Sequence, residues 1–146
     1  MNEETEFVRL HGPIKLASAE TECWKCHAVT PVHALVATDV EEFVDGEEPF
    51  KLEATTFVYD LSPDAIPAEV TAVVAQTATN FKPTFSRMAG ETSWGNVCIH
   101  CGVLQGAFFL HSEPDGPFFG GPNAFSGALT LVSSVGFDVD GASYSL

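Results

Sequence analysis

All four cysteines of this 146-residue chain fall into two CxxC pairs, Cys23-x-x-Cys26 and Cys98-x-x-Cys101. A CxxC turn sets two sulfurs on one side of a tight loop, with backbone N–H groups of the loop pointing at them. Two such loops meeting edge to edge supply four ligands at about 2.3 Å in a tetrahedron, the arrangement that Zn²⁺ accepts. A fold for this chain therefore has to bring residues 23–27 and 98–102 together. The backbone after the second Cys of such a knuckle often turns left-handed. Gly102 allows this freely, and His27 is among the side chains that tolerate it. The expected site is a closed, structural one: Cys23, Cys26, Cys98 and Cys101 around Zn²⁺.

The pairs are about 70 residues apart, where a simple zinc ribbon separates them by about 15–20. The insert, residues 39–93, holds strand and helix patterns, so it reads as structured. Zinc would pin the start of the domain to its second half, and closing so long a loop restricts the unfolded chain. Other readings of the cysteines fit less well. Cys23-Trp24-Lys25-Cys26-His27 matches the CxxCH of c-type haem attachment, but no export signal precedes it and the second pair is followed by Gly. A redox dithiol wants a CxxC opening a helix, and here Pro31 and a β-rich run follow. His111-Ser112-Glu113 resembles half of a zinc deaminase signature, but the order is reversed and Cys23 and Cys26 stay unexplained. A zinc-dependent enzyme of deaminase or hydrolase type is thus the weakest of the alternatives. No catalytic residue is predicted.

Charge narrows the partners. Twenty acids against six bases give a net charge of −14 and a pI near 4.4. Such a surface repels phosphate backbones and anionic membranes, so direct nucleic-acid binding is not expected. No Lys or Arg follows Arg87, and a loaded four-thiolate zinc site adds a charge of about −2. Lys25, between the first two ligands, is the base placed to offset it. No stretch reaches the roughly 18 apolar residues of a membrane span. The acidic N-terminus lacks the basic and apolar regions of a signal peptide, which predicts a cytoplasmic location. Hydrophobic residues make up 45% of the chain, enough for a real core.

The expected fold class is α+β: mostly antiparallel β with one central helix, built around a split zinc-ribbon-like site in a single domain, 1–146. Residues 6–10 and 14–18 read as two strands joined at Gly12-Pro13. Residues 31–38 alternate, with Val32, Ala34 and Val36 on one face and His33 and Leu35 on the other. Residues 39–53 are acidic and read as a solvated loop or exposed hairpin turning at Asp45-Gly46. They lack the ligand spacing of a calcium loop. The helix is expected over about 67–78, with Pro67 at its first position and Val70, Val73, Val74 and Thr77 on its apolar face. Residues 103–111 fit a strand or a short helix. Asp140-Gly141 predicts a hairpin between Phe137/Val139 and Ala142/Tyr144. His111 reads as a rim residue, His100 as exposed beside the metal, and His33 as a satisfied sheet residue. Phe108, Phe109, Phe118, Phe119 and Phe125 read as core or loop anchors.

Two segments carry a resemblance: Pro31 to Leu35 after the first CxxC, and Trp94 and Asn96 before the second CxxC-Gly. With them the chain resembles a family of small, uncharacterised bacterial zinc-ribbon-like proteins. The resemblance covers about half the chain and implies Cys23, Cys26, Cys98 and Cys101 as ligands. It implies no activity, and His27 departs from its pattern. The expected function is that of a zinc-binding protein–protein interaction module, with a basic partner favoured by charge. The alternative is an acidic inhibitor or immunity-like protein using residues 39–53 to block a basic site on a nucleic-acid enzyme.

Overall fold

The N-terminal run is broken at Gly12-Pro13, and its two strands leave for different sheets. The computed structural model describes residues 6–140 and 142–145. In chain order its elements begin with β1 (Glu6–His11), β2 (Ile14–Glu22), β3 (Val29–Ala37), β4 (Asp39–Val44), β5 (Phe50–Leu52) and β6 (Thr56–Tyr59). The helix α1 (Ala68–Thr77) follows, then β7 (Phe81–Ser86), β8 (Glu91–Val97) and β9 (Leu104–Gln105). The helix α2 (Ala107–His111) precedes β10 (Ala128–Ser133), β11 (Phe137–Val139) and β12 (Ser143–Ser145). The described residues are mostly antiparallel β, as expected, but they include two short helices where the sequence predicts one. The ambiguous run 103–111 divides into β9 and α2.

The strands form three antiparallel sheets, ordered β11-β1-β4-β5, β10-β2-β3-β6-β12 and β7-β8-β9. The first two sheets and α1 enclose the larger core, including Leu10, Ile14, Leu16, Leu35, Val58, Val70 and Val74. The other face of the five-stranded sheet carries Ala17, Val32, Ala34, Val36 and Phe57, covered by Leu110 of α2 and by Phe118. β3 is thus buried on both faces, which explains its nearly continuous apolar sequence. Among the predicted Phe anchors, Phe118 is fully buried, Phe109 and Phe125 pack partly against this second core, and Phe119 is exposed.

Three local expectations need correction. Pro67 is the residue before α1 and not its first residue, and Val73 is exposed while Val70 and Val74 are buried. The ten-residue helix contacts β7 and β10 with a narrow stripe only. The predicted Asp140-Gly141 hairpin does not form: β11 pairs with β1 and β12 pairs with β6, in separate sheets. Gly141 itself lies outside the described residues. β1 and β2 also do not pair, because a close crossing intervenes. A Cβ on Gly12 would lie 2.7 Å from the backbone N of Gly136, so both chains pass only as glycine. The acidic segment does form a hairpin, β4–β5, with Gly46 at φ 82° and the tip exposed.

The third sheet is fastened to the larger core by two aromatics. Phe81 and Trp94 are buried with ring centroids 5.4 Å apart. The Trp94 backbone N donates to Leu61 O at 2.8 Å, and its indole N–H donates to Pro63 O at 3.2 Å. This attachment fixes where β8, and with it the second CxxC, can lie.

Candidate metal centre

Each CxxC is the loop of a hairpin. The first connects β2 to β3, and the second connects β8 to β9. The two loops have the same backbone. Cys23 N donates to Ala28 O at 2.9 Å and His27 N to Cys23 O at 3.0 Å. Cys98 N donates to Val103 O at 2.9 Å and Gly102 N to Cys98 O at 2.9 Å. The residue after the second Cys is left-handed in both, with φ 64° at His27 and 79° at Gly102. The amide two residues after the leading Cys points at its sulfur: Lys25 N to Cys23 Sγ is 3.4 Å and His100 N to Cys98 Sγ is 3.3 Å. The requirement for a permissive residue at these two positions is met as the sequence predicts.

The two loops face each other crosswise. Cys23 Sγ lies 3.6 Å from Cys101 Sγ, and Cys26 Sγ lies 3.6 Å from Cys98 Sγ. All four sulfurs lie within 4.8 Å of one another. A disulfide needs about 2.05 Å, so these are free thiols. Four sulfurs at about 2.3 Å from a central ion would be about 3.8 Å apart. The donor set and its spacing fit a tetrahedral metal ion. Among the described residues no His, Asp or Glu joins the cluster. His27 Nδ1 instead meets Glu22 Oε1 at 3.1 Å, and His100 Nε2 lies 2.9 Å from Val29 O.

The electrostatics of the bare thiols are uneven. Burial is the largest influence on Cys23 and opposes its charge. The amides of Cys26 and Lys25, with the Gln105 side chain and the Cys101 thiol, outweigh it and bring Cys23 down to about 6. Cys98 is lowered in the same way, against burial, by the amides of Cys101 and His100 and the thiol of Cys26. At Cys26 the amide of Ala28 favours the thiolate. Burial and the neighbouring sulfurs of Cys98, Cys23 and Cys101 prevail and push it up to about 11. Thiolates this close repel, so they cannot all ionise without a cation among them.

What brings the hairpins together is a set of polar side chains that the spacing of the cysteines does not reveal. The strand β6 pairs with β3 only along residues 35–37, so residues 29–33 of that strand keep free backbone groups. Asn96 Oδ1 accepts from His33 N at 2.7 Å, and Asn96 Nδ2 donates to His33 O at 2.8 Å. Asn80 Nδ2 donates to Pro31 O at 2.7 Å and to Val97 O at 2.9 Å. Thr30 Oγ1 accepts from Ile99 N at 3.1 Å. Trp24 Nε1 donates to Leu104 O at 2.8 Å, crossing from the first loop to β9. Gln105 Nε2 reaches Cys23 Sγ at 3.4 Å. The only sequence signal for any of these is Asn96, two residues before Cys98 in the segment that carries the resemblance.

The histidines are placed as follows. His33 is buried, with Nδ1 2.8 Å from Ser18 Oγ, as expected for a satisfied sheet residue. His100 is exposed, also as expected. His111 is not a rim residue: it is 7% exposed and stacks on Tyr59 with ring centroids 4.0 Å apart. Helix α2 turns it inward beneath the five-stranded sheet, beside Phe57 and Phe118.

Comparison with protein-family models, curated proteins and solved structures returned no match. Among the described residues no helix is long and apolar enough to cross a membrane.

Proposed function

We propose that Cys23, Cys26, Cys98 and Cys101 hold a structural Zn²⁺ and that the protein works by contact with another protein. The observation that carries the metal assignment is the crosswise pair of 3.6 Å sulfur separations, close to the edge of a zinc–thiolate tetrahedron. Four thiolates close the ion's coordination, so its contribution is to staple two hairpins far apart in sequence. In this reading the centre is a zinc ribbon split by a structured insert, akin to the bacterial zinc-ribbon-like proteins that the cysteine segments resemble. A reducing, cytoplasmic compartment belongs to the same reading, because it keeps four free thiols available to metal.

The contact function is supported by what the loops expose. Trp24 and Ile99 stand directly after the leading Cys of each loop and are 57% and 53% exposed. Val29, at the start of β3, is 56% exposed. Large apolar groups held rigidly by a metal-stapled backbone suit a docking surface. The charge of −14 favours a basic partner.

Metal analysis of the chain purified without chelator tests the first part, with one zinc per chain expected. Absence of metal, or iron in its place, overturns it. Co-purification from the native host with wild type and with Trp24→Ser/Ile99→Ser tests the second. Partners retained undiminished by the double variant would remove the loop tips from the interface. The acidic hairpin β4–β5 favours a second reading, a blocker of a basic site on a nucleic-acid enzyme, because its tip exposes Asp45, Glu47 and Glu48. Charge reversal at those three positions would abolish that binding and leave the loop-tip contact intact.

A further inference from the structure

A cavity of about 320 Å³ lies next to the metal centre, between β6, the β7–β8 hairpin and the start of α2. That is room for a small organic molecule. Its aromatic lining comes from Tyr59, Phe81, Trp94 and His111. Its charged lining is Asp60 and Glu91, both exposed, and the described lining includes no Lys or Arg. A neighbouring hollow shares Asp60 and Glu91 and adds Asp140, so the approach is acidic as well.

Two residues of the wall carry buried polar atoms without a hydrogen-bond partner: Gln105 Oε1 and His111 Nδ1. Gln105 is 1% exposed and its amide nitrogen is already used by Cys23 Sγ and Val103 O. Its oxygen is therefore an acceptor with nothing donating to it. His111 Nδ1 is a second such acceptor in the tautomer protonated at Nε2. Native proteins rarely leave buried acceptors unpaired, and such exceptions call for a partner. The metal centre does not account for either atom, since neither belongs to the sulfur cluster.

We propose that this cavity binds a small organic amine with a flat apolar body. The positive head group would sit at Asp60 and Glu91, the body against the aromatic lining, and a donor would meet the unpaired acceptors of the wall. An anion has no cation to meet there, and a purely apolar ligand would leave the acceptors unpaired. The site goes beyond the structural-metal reading and does not depend on which metal the cysteines hold.

The test uses the full chain as purified and three matched probes: benzylamine, benzyl alcohol and benzoate. Amide and indole resonances are followed during titration at neutral pH. Benzylamine at millimolar concentration is expected to shift the Trp94 indole and the backbone signals of residues 105–111, saturably. Benzyl alcohol should bind several-fold more weakly, and benzoate at least about tenfold more weakly. Glu91→Gln and Asp60→Asn should each weaken benzylamine about threefold or more while leaving benzyl alcohol unchanged. Asn suits position 60, where φ is 58°. Benzoate binding as well as benzylamine overturns the proposal. So does saturation by none of the probes, or shifts confined to residues outside the cavity.

Discussion

The side chain of Asn96 holds both backbone groups of His33, accepting from its N–H at 2.7 Å and donating to its C=O at 2.8 Å. One side chain thus pairs with β3 as a neighbouring strand would. The amide comes from β8, whose end carries Cys98, and His33 lies in the strand that leaves the first CxxC loop. The bond therefore links the two halves of the four-cysteine cluster without touching a sulfur.

Replacing Asn96 should destabilise the protein by about 2–4 kcal/mol, because two buried backbone groups lose their partners. Asn96→Asp should cost at least as much as Asn96→Ala, since a carboxylate oxygen would face the His33 carbonyl where an N–H now donates. Urea unfolding of the two variants checks this. A loss under about 0.5 kcal/mol for both would mean that water or a rearranged strand serves β3 equally well.

Loss of any one cysteine should release the metal. Cys98→Ser and Cys101→Ser should both fall from one bound zinc to none and lose at least about 4 kcal/mol of stability at micromolar free zinc. Adding a strong chelator to the wild type should lower its midpoint to that of the variants. A Cys101→Ser protein that keeps its metal and its midpoint would show that the exposed pair, Cys26 and Cys101, is dispensable.

The two loops should respond oppositely to glycine. His27→Gly should be neutral or stabilising by up to about 1 kcal/mol, because φ 64° is strained for histidine. Gly102→Ala, at φ 79° with open space around it, should cost about 1 kcal/mol. Thermal melts of the metal-loaded proteins measure both. Destabilisation by His27→Gly would assign real weight to the 3.1 Å contact with Glu22.

Burial pushes the His111 imidazole from an ordinary 6.5 down to about 4. The unfolded chain then takes up a proton before the folded chain does. The stability this residue permits is intact above about pH 6.5 and is lost as the pH falls towards 4. The loss is at most about 3 kcal/mol. His111→Phe keeps an aromatic ring against Tyr59 and removes the titration. Between pH 7 and 4 the wild type should lose about 2–3 kcal/mol more than this variant. Parallel pH profiles would contradict the assignment. His33 is lowered by burial too and remains in both proteins, as do the cysteines.

The four-cysteine cluster was legible because a CxxC loop is a local object. Its hydrogen bonds close within six residues, and its need for positive φ is met or refused by the residue at 27 or 102. The alternation of β3 was legible for a similar reason, since period two specifies which residues share a face. The acidic hairpin announced itself through Asp45-Gly46. The helix was found, but its contacts were not, and α2 was hidden in a run too short for its period to be counted.

The Asp140-Gly141 signal failed in an instructive way. The turn residues describe how the chain bends, and they do not describe which edge each strand then joins. Val139 finds its partner in Val8, and Tyr144 finds Val58. Any strand edge offers the same N–H and C=O groups, so partner choice is decided by which apolar faces must be covered.

The sequence by itself determined the donor set, the shape of each CxxC loop and the acidity of the surface, because each follows from residues adjacent in the chain. Tertiary structure decided that Cys23 meets Cys101 and Cys26 meets Cys98, that Asn96 serves His33, and that His111 is buried with an unpaired nitrogen beside a cavity. The two sulfur pairs and the Asn96–His33 bond join residues 63 to 78 positions apart. They depend on how three sheets pack, and packing is settled by the whole apolar surface at once and not by any one segment.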